Sequence, residues 1–402
     1  MGSVGSVGSW NRGIRIGGPL ILLSIIASAA SAASAASSHE RNESTIRLWG
    51  TPYYDLTPCL RGDVVQASMG VRHAAVVFQD GSIQCWGLNH LGQCDVPEGI
   101  GPDVDRGQIP ATCVSAGDGH TAAVLADGSV HCWGENEFGE CNVPPHVGIP
   151  GYPARWVGAS VFHTTALMMD GSVVCWGNVE ASECGALADD GIPVIGMAVG
   201  DRHSIARRAD GSIRCWGDGT FGQTVVPDGI GTAANPAVDV AAGLFHSVAV
   251  LADGSIACWG DDAEGQCMVP VGIGTRERPV IAVAAGHAHT VAVLADGDVV
   301  CWGSNLADQC DVPDDLGGDR RRGQRPVIAV VAYGLGSGAR FAPNFTCSAD
   351  IDRDGIVDGL DLGRLLEDWN APDPCETDLD ADGSVGPGDL GQLLANWGSC
   401  SS

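Results

Sequence analysis

The 402-residue chain has no lysine. Its 21 basic residues are all arginine, and 49 acidic residues outweigh them to give a net charge of −28. Binding to a phosphate backbone depends on Lys and Arg displacing counterions, so no nucleic acid partner is expected. The one basic cluster, Arg320, Arg321, Arg322 and Arg325, reads as a solvated loop. Aromatic side chains are scarce at 5%, and half of them are tryptophan. Long apolar runs are also lacking. Only Pro19 to Ala27 comes near, and a span needs about 20 apolar residues. That run follows a nearly uncharged stretch bearing Arg12 and Arg15 and leads into A-x-A triplets, the layout of a secretory signal peptide. A retained anchor is the alternative, but Ser and Ala take over too soon for one. Residues 1–36 are therefore expected to be removed, giving a protein secreted to the extracellular space or cell surface, with no stable membrane insertion.

What the chain does have is glycine, 58 residues of it, and 16 cysteines. Export would place those cysteines where disulfides form and persist. The motif D-G-[SD]-[IV]-x-C-W-G occurs six times, starting at Asp80, Asp127, Asp170, Asp210, Asp253 and Asp296, with a period of about 43 residues. Seven residues before each Asp stands a histidine: His73, His120, His163, His203, His246 and His289. Each unit reads as a short apolar strand, a G-x-x-H corner, a second strand, an Asp-Gly two-residue hairpin turn, a third strand ending in C-W-G, and a polar loop. One such unit cannot bury both faces alone, so the units must stack, radially or linearly.

The ends decide between these. Residues 327–341 repeat the first half of a unit and stop, while residues 44–50 supply the missing second half. Complementary half-repeats imply a ring closed by pairing the first strand with the last: an all-β, seven-bladed propeller over residues 44–343, with one split blade. Ser337 is assigned to the histidine position of the split blade. The six histidines and the C-W-G tryptophans read as structural corner and packing residues rather than as a metal ring or a stacking platform.

At this point the repeat, seen as "GDGHTAAVLADGSVHCWGENEFGE" at 117–140, resembles that of the regulator of chromosome condensation family. The resemblance covers about three quarters of the chain and implies a seven-bladed propeller. Secreted bacterial members of that family show that such a ring can work outside cells. The family's nuclear exchange activity is not expected here, because a signal peptide and an acidic surface argue against chromatin. The third unit departs, with Ser160 for the corner glycine and "ASEC" for G-Q-C.

Five units carry cysteines nine positions apart: Cys85 with Cys94, Cys132 with Cys141, Cys175 with Cys184, Cys258 with Cys267, and Cys301 with Cys310. As disulfides each would pin a ten-residue loop to its own blade, worth about 2.5 to 3 kcal/mol in the chain-entropy account. The other reading is a set of small buried hydrophobes, since in the fourth unit Cys215 faces Thr224. Cys59, Cys113 and Cys375 have no assignable partner.

From Cys347 the composition turns to Asp, Leu and Gly. "DIDRDGIVDGLD" puts Asp350, Asp352, Asp354, Ile356 (by its carbonyl), Asp358 and Asp361 at the ligand positions of a twelve-residue Ca²⁺ loop. "DLDADGSVGPGD" does the same with Asp378, Asp380, Asp382, Ser384 and Asp389. Each loop leads directly into a short leucine-bearing helix, no helix precedes it, and its last ligand is Asp rather than Glu. Those features resemble a dockerin, a duplicated half-EF-hand that binds cohesin domains, over residues 347–400. Gly359, Leu360, Pro387 and Gly388 stand where dockerins place partner-reading polar residues. The expected cofactor is Ca²⁺, with Cys347 and Cys400 clasping the module's ends.

Catalysis needs convergent polar residues that do not follow the repeat. No Ser-His-Asp order, H-x-x-E pair or isolated carboxylate dyad stands out. The expectation is a non-catalytic secreted binding or scaffold protein, its propeller loops taking a protein or glycan and its tail attaching to a cohesin-like domain. The alternatives are an extracellular polysaccharide-active hydrolase or lyase, and a purely structural surface component.

Overall fold

The structure, a computed structural model, describes residues 46–50, 60, 64–178, 191–318 and 324–341, and in the tail 356–357, 359–367, 369, 385–395 and 397–399. The expected signal peptide lies outside the described residues. Strand β1 (Ile46–Gly50) precedes six strand triplets. These are β2 (Val64–Met69), β3 (His73–Phe78) and β4 (Ile83–Gly87); β5 (Ala111–Ala116), β6 (His120–Leu125) and β7 (Val130–Gly134); β8 (Ala154–Ala159), β9 (His163–Met168) and β10 (Val173–Gly177); β11 (Val194–Val199), β12 (His203–Arg208) and β13 (Ile213–Gly217); β14 (Ala237–Ala242), β15 (His246–Leu251) and β16 (Ile256–Gly260); and β17 (Val280–Ala285), β18 (His289–Leu294) and β19 (Val299–Gly303). Strands β20 (Val327–Tyr333) and β21 (Gly336–Phe341) follow.

Each triplet is one antiparallel sheet, and the seventh sheet has the order β1-β21-β20. Ile46 pairs with Arg340 and Gly50 with Gly336, so the N-terminal strand completes the C-terminal blade. The first strands of successive sheets adjoin one another, and β20 adjoins β2, which closes the ring. They enclose an axial channel of about 250 Å³, lined mainly by alanine, serine, glycine and valine. Small residues are required there because seven strands converge on one axis.

The middle strands are buried, as in "HAAVVF" and "HTVAVL", except at Arg207 and Arg340, because each is covered by a neighbouring blade on both faces. The hydrophobic clusters accordingly straddle seams: Trp133 of the second blade packs with Ala75 and Val77 of the first. Inner strands lack backbone partners at their axial edge, and side chains supply them. Gln66 accepts from Val114 N–H at 2.7 Å and donates to Val114 O at 3.0 Å. Ser68 and Ser115 accept from Ala116 and Ala159 N–H. Pairing these groups avoids the cost of a buried unsatisfied amide.

Histidines bridge the corners. Nε2 of His73, His120, His203, His246 and His289 meets the hydroxyl of Thr121, Thr164, Ser247, Thr290 and Ser337 of the next blade at 2.7 to 3.1 Å. Register moves the seventh blade's assignment by one residue: Gly336 occupies the histidine position, opposite Gly50, and Ser337 is the hydroxyl that receives His289. The corner glycines admit no side chain, since a Cβ at Gly70 would lie 1.9 Å from Gly117 O. The Asp-Gly turn also differs from the two-residue hairpin expected. Gly81 N–H bonds to Phe78 O, and Gly81 alone has positive φ (82°), a three-residue loop closed by a glycine bulge. Asp80 takes the Ser82 N–H and hydroxyl on its carboxylate instead, at 2.8 and 2.6 Å.

In the tail, α1 (Gly359–Glu367) and α2 (Pro387–Ala395) adjoin, with Leu365, Leu393 and Val385 buried between them. A two-residue ladder pairs Ile356 with Ser399 and Val357 with Gly398.

Burial holds the six corner histidines neutral: His73, His163, His203 and His289 are lowered to about 4, and His120 and His246 to about 3. Unfolded histidine titrates near 6.5, so the unfolded chain binds more protons than the folded one between pH 6.5 and about 4. Stability is therefore fully present above pH 6.5 and is lost as pH falls, each such proton contributing about 1.4 kcal/mol per pH unit. Urea melts of the intact chain should show the midpoint falling steeply from pH 6.5 to 4.5. A flat profile would contradict six neutral buried imidazoles.

Candidate functional site

One side of the ring carries both the G-x-x-H corners and the loops after C-W-G. The loop backbone returns to the corner of its own blade, as in Leu88 N–H to Arg72 O and Glu135 N–H to Gly119 O, each 2.8 Å. The residue after the corner glycine faces the axial mouth. It is Val71, Val161, Leu244 or Gly334 in four blades but Asp118, Asp201 and His287 in the other three. Those three charged or titratable groups converge. Asp201, 8% exposed, accepts the Tyr333 hydroxyl on Oδ1, and its Oδ2 lies 2.9 Å from His287 Nε2, close but without hydrogen-bond alignment. Asp118 lies 3.0 Å from Arg72 Nε and accepts from Arg72 Nη2 at 3.3 Å. Burial pushes the Asp118 carboxyl above the usual range. Arg72 opposes that shift, and the nearby Asp201 carboxylate adds to it. Residues from the first, second, fourth, sixth and seventh blades thus form an acidic polar centre, suited to a cationic group.

Around this centre stands an apolar rim. Leu88, Leu91, Phe138, Phe162, Phe221, Leu306 and Leu335 are all exposed. Phe138 meets Phe162 edge-on at 5.4 Å and Phe221 meets Phe245 at 4.8 Å, each pair joining one blade's loop to the next blade's corner.

The loops bearing this rim each turn on a buried Gln or Glu, and the one bearing Leu306 is also closed by a disulfide. Cys258–Cys267 and Cys301–Cys310 are disulfides, each with Cα atoms 5.0 Å apart, within the span a bridge requires. Cys175 is disulfide-bonded, and Cys184 lies outside the described residues. Two expected bridges are not formed. Cys85 and Cys94 are thiols, with Cys94 Sγ turned to Leu88 O at 3.5 Å, and Cys132 and Cys141 are thiols with their sulfurs 2.7 Å apart. Burial pushes the Cys94 thiol up to about 11 and Cys85 higher still, so both stay protonated. Cys113 and Cys215 are thiols as well.

Of the expected calcium ligands, Asp361 and Asp389 lie in the first turns of α1 and α2, both buried. Asp389 Oδ2 accepts from Gly386 N–H at 2.7 Å. A buried carboxylate requires compensation, and a helix-entry position suits the last ligand of a calcium loop. Ile356 is in the tail ladder. Asp350, Asp352, Asp354, Asp358, Asp378, Asp380, Asp382 and Ser384 lie outside the described residues, as do Cys347 and Cys400. Among the described residues no group of three or more His, Cys, Asp or Glu is placed to hold a metal.

Residues 64–93, 111–140, 194–223, 237–266 and 280–309 match the model of the regulator of chromosome condensation (RCC1) repeat. The third blade is absent from that match. Five of the seven blades are thus similar to the RCC1 repeat, and the ring they build is a seven-bladed β-propeller. Prp20p of Saccharomyces cerevisiae, described with its binding to Gsp1p and histones, is 18% identical with a TM-score of 0.56, over 73% of this chain and 90% of that one. Human WBSCR16 is 17% identical with a TM-score of 0.55, over 70% and 87%. The ectodomain of the Arabidopsis thaliana receptor kinase ACR4 is 19% identical with a TM-score of 0.51, over 67% and 88%. These likenesses concern the fold. No curated protein matches.

Sequence reasoning missed Asp118, Asp201, His287 and Tyr333. The signal was present in the corners, where three of the five G-x-x-H motifs carry a charged or titratable residue after the glycine. If the thiol pairs reflect a reduced state of the same loops, mild oxidation should close them without moving the backbone. Non-reducing peptide mapping should then recover Cys132 with Cys141 and Cys85 with Cys94. Persistence of all four as alkylatable thiols in oxidised protein would show that these loops are not stapled.

Proposed function

We propose that this chain is a secreted, non-catalytic binding protein that takes a protein partner on the corner face, with the acidic tail as its calcium-binding and attachment module. The observation that carries the reading is the pattern on that face, exposed aromatic and leucine side chains around an acidic centre. Interfaces concentrate aromatic residues in this way, and a contiguous exposed apolar patch on a soluble ring marks an interaction site. Asp118 and Asp201 favour a partner offering a basic side chain at the centre. The solved RCC1-type ring of Prp20p binds other proteins, which supports a protein partner for this ring too.

The tail reading rests on the two acidic loops and on the buried Asp361 and Asp389. Asp350, Asp352, Asp354, the Ile356 carbonyl, Asp358 and Asp361 would hold one Ca²⁺. Asp378, Asp380, Asp382, Ser384 and Asp389 would hold the second. Bound ions would neutralise carboxylates that otherwise repel one another. The attachment partner of such a module would be a cohesin-like domain.

Cross-linking pull-downs from the producing organism's surface fraction test the first part. The pair Phe138→Ser and Phe162→Ser should lose the enriched partner at unchanged melting temperature, and equal recovery by wild type and variant rejects the corner face. For the tail, calorimetry should give two calcium sites. The first loop should be tighter, because Asp358 adds a carboxylate where the second loop has Gly386. Asp350→Ala with Asp354→Ala should abolish one site, and unchanged heats would remove the assignment.

A further inference from the structure

The histidine bridge described for five seams is missing between the third and fourth blades. His163 turns Nδ1 to the Ser160 hydroxyl at 2.7 Å, and its buried Nε2 has no partner among the described residues. This seam instead contains a cavity of about 340 Å³, extending to the fifth blade and lying toward the Asp-Gly turns. Three departures from the repeat converge on it.

The first is Arg155. In every blade a bulge displaces the second residue of the inner strand, and that residue is Val65, Thr112, Ile195, Val238, Ile281 or Ile328 in the other six. A bulge re-aims the side chain it displaces; here it presents a guanidinium. Arg155 Nη2 donates to Val194 O across the seam at 2.7 Å, which fixes the group and leaves its other donors available. The second is Arg207, where Val77, Val124, Val250 and Val293 stand in four other blades. It is half-buried, with no hydrogen bond or ion pair among the described residues. Gly196 makes room for it, since a Cβ there would lie 2.5 Å from Arg207 Nε. The third is Trp156, whose indole lies over Gly158 and forms the wall between this cavity and the axial channel. Asp239 also borders the space, with its oxygens accepting from Val240 and Val283 N–H at 3.0 Å and its charge felt by Arg207, so two guanidiniums face a single carboxyl. The cavity therefore keeps a net positive charge in a protein of −28.

We propose that this seam is an anion-binding site for a small organic carboxylate, paired with Arg155 and Arg207 and packed by its carbon skeleton against Trp156, Leu167 and Met197. A planar guanidinium matches a carboxylate with two parallel hydrogen bonds, and the indole face and apolar floor favour a compact skeleton over a bare inorganic ion. The carboxylate could belong to a sugar acid or to an amino acid, and the probes separate the two. Titration calorimetry on the full chain would use D-galacturonate against D-galactose, and N-acetylglutamate against N-acetylglutamine. At least one acid should bind ten times or more tighter than its neutral counterpart, and the acid that does so identifies the source. Arg207→Val installs the residue that other blades already hold, so the ring should fold, and binding should weaken tenfold or more. Arg155→Thr, the residue at this place in β5, should weaken it as well. The proposal is overturned if neither acid binds, if acid and neutral probes bind alike, or if both variants bind as wild type does.

Discussion

Four of the seven seams depend on one buried carbonyl that accepts twice from the next blade. The main-chain oxygen of Gln93 accepts from the Thr121 hydroxyl and the Trp133 indole of the next blade, at 2.8 and 3.0 Å. Glu140, Gln223 and Gln309 receive Thr164 and Trp176, Ser247 and Trp259, and Ser337 and Trp49 in the same way. A carbonyl at such a depth is costly to leave unpaired, so the loop, the indole and the hydroxyl must form together. This accounts for tryptophan at the repeated position, since Phe has no donor there to offer. Each C-W-G indole fills a seam, and those of Trp133, Trp176 and Trp259 also donate to the loop before them. Ring closure uses the same device, since Trp49 of the N-terminal strand reaches the sixth blade's loop.

That constraint also holds the loops of the corner face in shape. The side chains of Gln93 and Gln309 turn back to accept from Leu91 and Ala307 N–H, so the loop tips bearing Leu91 and Leu306 are set by the buried residue two positions on. A rim built this way is preorganised, which lowers the ordering cost of binding. The acidic centre is assembled differently, by ring geometry alone. Asp201 and Tyr333 are 132 residues apart and meet only because the fourth and seventh blades face the same axis.

The third blade separates repeat from departure most clearly. Ser160 replaces the corner glycine, its hydroxyl meets Nδ1 of His163, and Nε2, which bridges in five other blades, has no partner among the described residues. The seam that results has space for Trp156 and two arginines that no other seam holds together. A repeated scaffold tolerates an altered seam because the others supply the closure, and residues freed from the repeat can take on a site.

Much of the fold was legible because a repeat states the same local rules many times. The Asp-Gly turns, the buried middle strands, the half-repeats at 44–50 and 327–341 and the pairing that joins them all follow from short-range pattern and the need to bury two faces. Small errors came where pattern alone sets no register. Gly336 and Ser337 were one position out, and the turn closes on glycine alone, because pairing across the sheet decides both. The cysteine spacing located the loops, but the positions of the sulfurs decide which pairs are bonded. The sites were the least legible part. Asp118, Asp201, His287 and Tyr333, and likewise Arg155, Trp156 and Arg207, lie on different repeats with no common spacing. The ring and its seams follow from local periodicity. Which departures meet follows from the closed ring, because closure brings distant blades to one axis.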